Sequence, residues 1–304
     1  METKRNGKFR EIQRYKCLSC DKQFSSKRRP KKLEQVIFNK YFYRKQTLRQ
    51  LADEYHRSIP WVRKQIFEYE PALNSYSPRE VLVVADATFF GKRKDKFGVL
   101  VFKDVWSGDI LIWKHIESET IKDYTYLTNE LLNKVFSVKG IVIDGKRGLF
   151  KAFNAFPVQM CHFHQKMIVQ RYITRHPKLE ASKDLKKIVS RLTSTTETRF
   201  INSLDNWYVQ HEAFLNEKSI NPTTGKEYFT HRKLVAAYRS LRRNLPYLFT
   251  YKNHPELKMP NTTNSLDGGV FSQLKKLTKI HQGITKTLKS KLIDDYLVSY
   301  NKKL

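Results

Sequence analysis

Cysteine is scarce in this chain of 304 residues, which contains only Cys17, Cys20 and Cys161. Three thiols are too few for a disulfide framework, and their scarcity fits a reducing compartment. We therefore expect these side chains to bind a metal or to be plain buried thiols, and we do not expect them to form disulfides.

Long apolar runs are also missing. The sequence contains no stretch of about 18 apolar residues, no signal-peptide core and no lipidation motif. These absences exclude a membrane-spanning segment, and we expect a soluble, cytoplasmic protein with no membrane partner.

Acidic residues are few relative to basic ones. The chain has 29 Asp and Glu against 58 Lys and Arg, which gives a formal net charge of +29. This charge is spread over most of the sequence, so it favours a polyanionic partner, and nucleic acid is the first candidate.

The length allows a domain with a full core and one or two small appendages. We divide the sequence into a basic segment at 1–32, a helical region at 33–70, a linker at 71–80, the first part of an α/β core at 81–164, a helical insertion at 165–255 and a C-terminal part at 256–304. Two or three structural units are expected.

The basic segment at 1–32 ends at Pro30-Lys31-Lys32 and has little apolar area for a core of its own. Cys17 and Cys20 form one C-x-x-C pair, and we take them as candidate zinc ligands. Tetrahedral structural zinc needs four ligands, and no other pair precedes Gly7. We therefore predict a poorly ordered segment in which the zinc site is incomplete.

Residues 47–66 have the pattern of two short helices around a tight turn, which is a helix-turn-helix arrangement. Ser58 is expected to cap the second helix, with Pro60 in its first turn. The side of this helix that we expect to be exposed carries Arg57, Trp61, Arg63, Lys64 and Gln65. Arg and Gln suit base edges in the major groove, and Lys suits phosphate. A small helical hairpin packed on the core is the alternative.

The region after the linker predicts an α/β fold with a mixed sheet. Apolar runs predict strands at 81–85, 97–102, 110–113, 140–143 and 158–160, and helical periodicity occupies 120–136 and 149–153. A three-strand meander followed by strand–helix alternation is typical of a mixed sheet with helices packed on it. Residues 165–251 are predicted to be helical, with no convincing strand.

Two acids follow apolar strands in this core. Asp86 comes after five apolar residues, and Asp144 follows the strand at 140–143, so both are predicted at strand ends. Carboxylates that converge there suit Mg²⁺ or Mn²⁺. Two such ions stabilise the attacking and leaving oxygens of phosphoryl transfer. Alternatively, each Asp is a turn former or a helix cap.

A third acid, Asp267, lies in the sequence Asn-Thr-Thr-Asn-Ser-Leu-Asp-Gly-Gly at 261–269, which a basic helix at 271–280 follows. Glu256 and Glu119 are alternative acids, and we rank them below Asp267. The basic helix carries Lys275, Lys276 and Lys279. They suit phosphate binding, although a solvated lysine face has the same pattern.

Four motifs in a fixed order resemble the mutator-type DDE transposases of bacterial insertion sequences. They are Val84-Ala-Asp86-Ala-Thr-Phe-Phe, Ile143-Asp144-Gly145 with Gly148-Leu149, Cys161-His-Phe-His164, and Thr262-Thr-Asn264-Ser-Leu-Asp267-Gly-Gly. The resemblance spans roughly residues 81–290. It implies a ribonuclease H-like domain with an all-helical insertion and a metal site at Asp86, Asp144 and Asp267. The family's third acid is normally Glu, which is one methylene longer.

The resemblance also implies partners and supporting residues. The partners would be double-stranded DNA, as terminal inverted repeats and target, and a second copy of the chain in a homodimer on the prokaryotic nucleoid. Cys161, His164 and Asn264 would support the active centre, although the histidines also fit ordinary packing. Cys17 and Cys20 resemble the second knuckle of the zinc ribbon that opens many of these proteins. The alternatives are a catalytically silent DNA-binding relative and a nuclease without strand transfer.

Overall fold

The computed structural model describes residues 2–9, 12–25, 33–72, 76–134, 136–146 and 148–301. The chain forms two compact units: Met1–Ala72 with His281–Asp295, and Leu73–Ile280 with Tyr296–Leu304. The predicted boundary at Pro30 and part of the predicted linker lie outside the described residues. None of the helices in those described ranges is long and apolar enough to cross a membrane.

The first unit begins with a three-stranded antiparallel sheet in the order β1-β2-β3. The strands are β1 (Thr3–Phe9), β2 (Ile12–Cys17) and β3 (Gln23–Ser25). The expectation of a poorly ordered segment is corrected here. Backbone ladder hydrogen bonds and the stacked rings of Tyr15 and Phe24 stabilise these strands although apolar area is small.

Three helices follow: α1 (Leu33–Phe42), α2 (Leu48–Tyr55) and α3 (Ile59–Glu68). Thr47 caps α2 in a capping box, because its hydroxyl accepts from the Gln50 amide and the Gln50 side chain accepts from the Thr47 amide. The Ser58 hydroxyl caps α3, and Pro60 lies in the first turn. Two short helices around a tight turn therefore form where the sequence predicts them.

The Thr47→Ala variant is expected to lower the free energy of unfolding by about 1 kcal/mol, because it leaves an amide at the start of α2 without its hydroxyl acceptor. Urea denaturation followed by circular dichroism measures this loss. Thr47→Ser keeps the hydroxyl and serves as the control. An equal loss in Thr47→Ser would contradict the capping role.

The first unit buries a carboxylate in its core. Asp295 lies on the last helix and accepts hydrogen bonds from the hydroxyls of Tyr43, at 2.7 Å, and Tyr69, at 2.6 Å. Burial raises the pKa of Tyr69, and the hydrogen bond to Asp295 raises it further. These two hydroxyls replace the water that a buried carboxylate loses.

The second unit is built on a five-stranded mixed sheet in the order β6-β5-β4-β7-β8. Its strands are β4 (Arg79–Phe89), β5 (Gly98–Asp104), β6 (Ile110–Ile116), β7 (Phe136–Ile143) and β8 (Val158–Met160). The first three strands are antiparallel, while β7 and β8 continue the sheet in parallel with β4. The predicted mixed sheet is therefore observed.

Helices α4 (Ile121–Asn133) and α5 (Leu149–Ala152) belong to the core on one face of the sheet, together with Val81, Val83 and Ala85 of β4. Side chains alternate along a strand, so Leu82, Val84 and Asp86 point to the opposite face. The sequence placed Phe136 at the end of a helix. The structure instead pairs Phe136 with Arg79 as the first residue of β7, because α4 ends at Asn133.

The insertion is mainly helical and has its own apolar core around Leu185, Phe200, Leu204 and Trp207. Its helices are α6 (His162–Ile173), α7 (Glu180–Ser190), α8 (Glu197–Asn216), α9 (Arg232–Asn244) and α10 (Thr250–Asn253).

The prediction that the insertion has no strand is wrong. Strands β9 (Lys218–Ile220) and β10 (Glu227–Phe229) form an antiparallel hairpin. The turn forms because the Asn221 side chain accepts from the amides of Thr223 and Thr224, and Gly225 adopts a positive φ of 64°.

The C-terminal part starts with α11 (Asn264–Leu266) and a π-helical segment, Asp267–Phe271. It continues through α12 (Ser272–Ile280) and α13 (Lys286–Tyr300). The predicted basic helix therefore exists, and a π-helical turn that includes Gly268 and Gly269 precedes it.

Candidate active site

The sheet brings Asp86 and Asp144 to neighbouring positions. Strands β4 and β7 run parallel with Val84 opposite Val142. Asp86 comes two residues after Val84, and Asp144 comes two residues after Val142, just past the end of β7. Asp86 is not at a strand end, which corrects the prediction. It lies inside β4 opposite Val101 of β5, because β5 continues the pairing after β7 has ended. Asp86 thus lies beside the end of β7.

Asp86 is an acid in an unfavourable setting for its charge. Its exposed fraction is only 8%. One carboxylate oxygen accepts from the Ala87 amide at 2.8 Å, and the other accepts from the Thr263 hydroxyl at 3.2 Å. Burial raises the pKa of Asp86 to about 7, and the charge of Asp144 adds to this rise, although His164 and the two hydrogen bonds oppose it. A nearby cation would stabilise the ionised form.

Asp144 lies in the loop between β7 and α5 and is partly exposed. One of its carboxylate oxygens accepts from the Lys146 amide at 3.1 Å. The loop ends at Gly148, which has a φ of 89° and where a Cβ would meet Ile121. Glycine is therefore required for the tight return into α5 behind the second acid.

Glu119 is a further acid beside Asp144. Burial raises the pKa of Glu119, and the charge of Asp144 raises it further. Its carboxylate accepts from the Tyr124 hydroxyl at 2.9 Å and lies 3.6 Å from the Lys146 ammonium. The sequence marked Glu119 as an alternative acid, and the structure places it within electrostatic reach of the site.

Cys161 and His164 are brought together at the start of α6. The Cys161 sulfur accepts from the amide of Thr263 at 3.4 Å and lies 3.6 Å from the Thr263 hydroxyl. The hydrogen bond between His164 and Cys161 raises the pKa of His164 to about 9 against the effect of burial. The charges of Asp86 and Asp144 also raise it. Burial would raise the pKa of Cys161, but the hydrogen bonds from His164 and Thr263 lower it. His164 is thus a positive charge beside two acids.

The neighbouring histidine has a different role. His162 is fully buried, and its Nε2 lies 2.6 Å from the Leu248 carbonyl oxygen. Burial lowers the pKa of His162, so this ring is neutral and packs within the insertion.

Thr263 is the residue that sequence reasoning missed. It entered the sequence argument only as a letter of the motif around Asn264. In the structure its hydroxyl connects Asp86 to Cys161, and it is almost fully buried. The only sequence signal is its position in the Thr-Thr-Asn stretch before the third acid.

Asp267 and Asn264 are both exposed on the segment that follows Thr263. Asp267 is the first residue of the π-helical segment, a kind of helix turn that occurs often at functional sites. Glu256 is exposed and lies 3.2 Å from His254. Within the described part of the chain, no three His, Cys, Asp or Glu side chains are grouped to hold a metal. The structure thus brings two predicted acids together and leaves Asp267 exposed.

The predicted DNA-reading residues on and next to α3 divide into exposed and buried ones. Arg57, Arg63 and Lys64 are exposed, and the Arg57 guanidinium lies 5.7 Å from the ring centre of the half-buried Trp61. Gln65 is a correction, because only 8% of it is exposed. It lies on the inward side of the helix, one turn after the buried Val62 and next to Ile66.

The remaining predicted sites are a lysine face and a cysteine pair. Lys275, Lys276 and Lys279 are exposed on α12, as both the phosphate-binding and the solvated-face readings require. Cys17 is buried and Cys20 is exposed. The Ser19 hydroxyl lies 3.0 Å from the Cys17 sulfur, and this hydrogen bond, with backbone contacts, lowers the pKa of Cys17 to about 7.

Comparison with solved structures gives neighbours of low sequence identity. No family model and no curated protein matches the chain. One neighbour is a chain of the simian T-cell lymphotropic virus intasome in complex with PP2A regulatory subunit B56 gamma, with 12% identity and a TM-score of 0.22 over 64% of this chain and 68% of that chain. Another is the Drosophila P element transposase strand transfer complex, with 9% identity and a TM-score of 0.33 over 91% and 81%. Likenesses this distant carry no weight in assigning the function.

Proposed function

We propose that this protein is a DDE-type transposase that cuts DNA at the ends of an insertion sequence and joins them to target DNA. The observation that carries this proposal is the meeting of Asp86 and Asp144 beside the end of β7, with Asp86 buried and held by Thr263. The high positive charge of the chain favours DNA as the substrate.

The sheet supports the ribonuclease H-like part of the proposal. Three antiparallel strands are followed by two parallel ones, and a mainly helical insertion separates the second acid from the segment with Asp267. A helical insertion before the motif that contains Asp267 is what the resemblance to mutator-type transposases implies.

The residues present fit a divalent metal ion in part. Asp86 and Asp144 offer hard oxygen ligands, and the raised pKa of Asp86 marks a buried carboxylate that a cation would stabilise. Asp267 would be the third ligand. When bound, Mg²⁺ would activate water or a 3′ hydroxyl and stabilise charge on the reacting phosphate. The chain itself holds Asp86 through Thr263, and His164 adds a positive charge that attracts the phosphate.

DNA binding outside the site would use exposed cations of both units. Arg57, Arg63 and Lys64 lie at the turn before α3 and on that helix. Lys275, Lys276 and Lys279, which are exposed on α12, would hold backbone phosphate. Two element ends must be held at once, so we propose a homodimer on DNA, in the cytoplasm and associated with the nucleoid.

A catalytically silent DNA-binding relative is the second candidate. It is favoured by the exposure of Asp267, which is also one methylene shorter than the acid that the resemblance implies. Such a protein would bind the element ends and leave them uncut.

Cleavage and joining of a duplex that carries the inverted repeats flanking the gene tests the proposal. We expect both reactions with Mg²⁺ and neither with EDTA, and we expect the separate Asp86→Asn and Asp144→Asn variants to be inactive. Asp205→Asn, on the insertion, is the control and should remain active. Activity in Asp86→Asn would sink the metal-site assignment. Sequence-specific binding without cleavage by the unaltered protein would support the silent relative.

A further inference from the structure

A groove opens directly beside the second acid. It is a cavity of about 850 Å³ whose lining includes Gly145, the residue after Asp144, and Gly148. Helices α6 and α9 of the insertion supply most of its remaining lining. The proposed reaction at Asp86 and Asp144 leaves this groove without a role.

The rim of the groove is strongly basic. Five exposed cations line it: Lys151, Arg171, Arg232, Arg239 and Arg243. No acidic residue lines the groove, and none of the five has an ion pair with a carboxylate in the described ranges. Arg242 lies on the same helix, α9, but it pairs with Asp205 outside the groove. Five cations that the protein leaves uncompensated attract a polyanion.

The groove also has aromatic walls. Phe150 and Tyr247 stack on each other with ring centres 4.1 Å apart, and Tyr172 exposes its ring from α6. The guanidinium of Arg239 lies 5.5 Å from the ring centre of Phe229. Flat rings next to cations are the surfaces on which unpaired bases stack.

The floor of the groove is polar and fixed. Ser240 and Asn244 are buried there, and the Asn244 amide donates to Gln165 at 2.8 Å. Gln165 in turn donates to the Ser240 hydroxyl at 3.3 Å. The side-chain oxygen of Asn244 accepts no hydrogen bond from the described residues, so it is an acceptor available to a base edge.

We propose that this groove holds an unstacked nucleotide of the DNA strand, with the phosphates on either side of it bound by the rim. The inference rests on the proposed function, because it assumes that the bound nucleotide belongs to the DNA strand that reacts at Asp144. A cavity of this size takes single nucleotides and excludes a duplex. Unstacking a base costs a few kcal/mol, and stacking on Tyr172 together with the cations offsets that cost.

Fluorescence anisotropy in EDTA tests the groove without requiring cleavage. The probe is fluorescein-labelled oligothymidylate of about ten nucleotides, compared with a duplex of the same length. The Arg239→Ala/Arg243→Ala variant should bind the single strand at least about tenfold more weakly, with a salt slope smaller by about 1.4. Lys183→Ala/Arg242→Ala removes the same charge outside the groove and should bind as the unaltered protein does.

A second pair of variants tests the stacking contact. Tyr172→Ala is expected to weaken single-strand binding about tenfold, and Tyr172→Phe is expected to restore it because the ring is kept. Tyr172, Arg239 and Arg243 are exposed, so thermal unfolding should be unchanged in the groove variants.

Three results would overturn the inference: equal weakening in the control pair, equal weakening of duplex binding, or competition by thymidine monophosphate as effective as that of the oligonucleotide. The two proposals fail separately. If Asp86→Asn loses cleavage while the groove variants bind the single strand normally, only the groove proposal is disproved. If the unaltered protein leaves the substrate uncut while the groove variants bind the single strand more weakly, the transposase proposal is disproved and the groove proposal stands.

Discussion

Replacing Asp86 by asparagine is expected to stabilise the fold by about 4 kcal/mol at pH 8 while it abolishes DNA cleavage. Burial raises the pKa of this acid from an ordinary 3.8 to about 7, so above that pH the protein carries a charged and largely dehydrated carboxylate. Each pKa unit corresponds to about 1.4 kcal/mol, which gives the expected gain. Asparagine keeps the size of the side chain and removes its charge.

The pH dependence of stability follows from the same shift. The folded-state pKa of Asp86 lies above its unfolded value, so between about pH 4 and pH 7 the folded protein binds the proton more tightly. The free energy of unfolding therefore falls as the pH rises through this window. His164 adds a second fall, because its raised folded-state pKa of about 9 contributes stability below about pH 6.5 that is lost as the pH rises through 9. The lowered pKa of Cys161 acts in the opposite direction and offsets part of this fall.

Urea denaturation from pH 4 to pH 9 in EDTA measures both effects. The Asp86→Asn variant should lose the fall between pH 4 and pH 7 and keep a smaller fall contributed by His164, because the charge of Asp86 is one of the causes that raise the pKa of His164. Asp267→Asn replaces an exposed acid of the same unit and serves as the control. Added Mg²⁺ should stabilise the unaltered protein more than Asp86→Asn, because an ion that binds the folded state raises its stability. An unchanged slope in Asp86→Asn would contradict the burial argument.

Lengthening the third acid is expected to increase cleavage about a hundredfold in the Asp267→Glu variant. Asp267 is exposed at the start of the π-helical segment, and the extra methylene extends the carboxylate by about 1 Å, a distance at which misplacement costs about a hundredfold in rate. Single-turnover cleavage of a labelled element end measures the change. Glu256→Asp, the reverse one-methylene change at another exposed acid, should leave the rate unaltered.

The Asp267→Asn variant shows whether Asp267 is a ligand at all. A carboxamide keeps the shape and loses the charge, so cleavage should fall below detection. If Asp267→Asn cleaves as fast as the unaltered protein, Asp267 does not hold the metal. Glu119 would then be the candidate for the third acid, because it already lies beside Asp144.

Local signals in the sequence predicted much of the fold. The apolar runs at β4, β5 and β6 and the helical periodicity of α4 depend on neighbouring residues, so they can be seen without a structure. The exact ends depend on partners elsewhere in the chain. Strand β4 continues past Asp86 because β5 pairs with it, and β7 starts at Phe136 because Arg79 lies opposite.

Which residues lie together at the candidate site was predictable to a similar degree. Motifs identified Asp86, Asp144, Cys161 and His164, and the structure places these four residues around one centre. Thr263 could not be recognised as the bridge between Asp86 and Cys161, because that contact joins segments far apart in the sequence. The prediction for Gln65 failed because its orientation depends on which side of α3 packs inward.

The two acids are mounted differently, and this would decide how the proposed metal centre adapts to ions of different radius. Asp86 lies within a strand that is paired to β5 on one side and borders the end of β7 on the other, so its backbone moves only if the ladder opens. Asp144 lies on the loop between β7 and α5, outside the strand ladder. In the proposed metal centre, Asp86 would therefore keep its position, and Asp144 would take up the difference between a smaller and a larger cation.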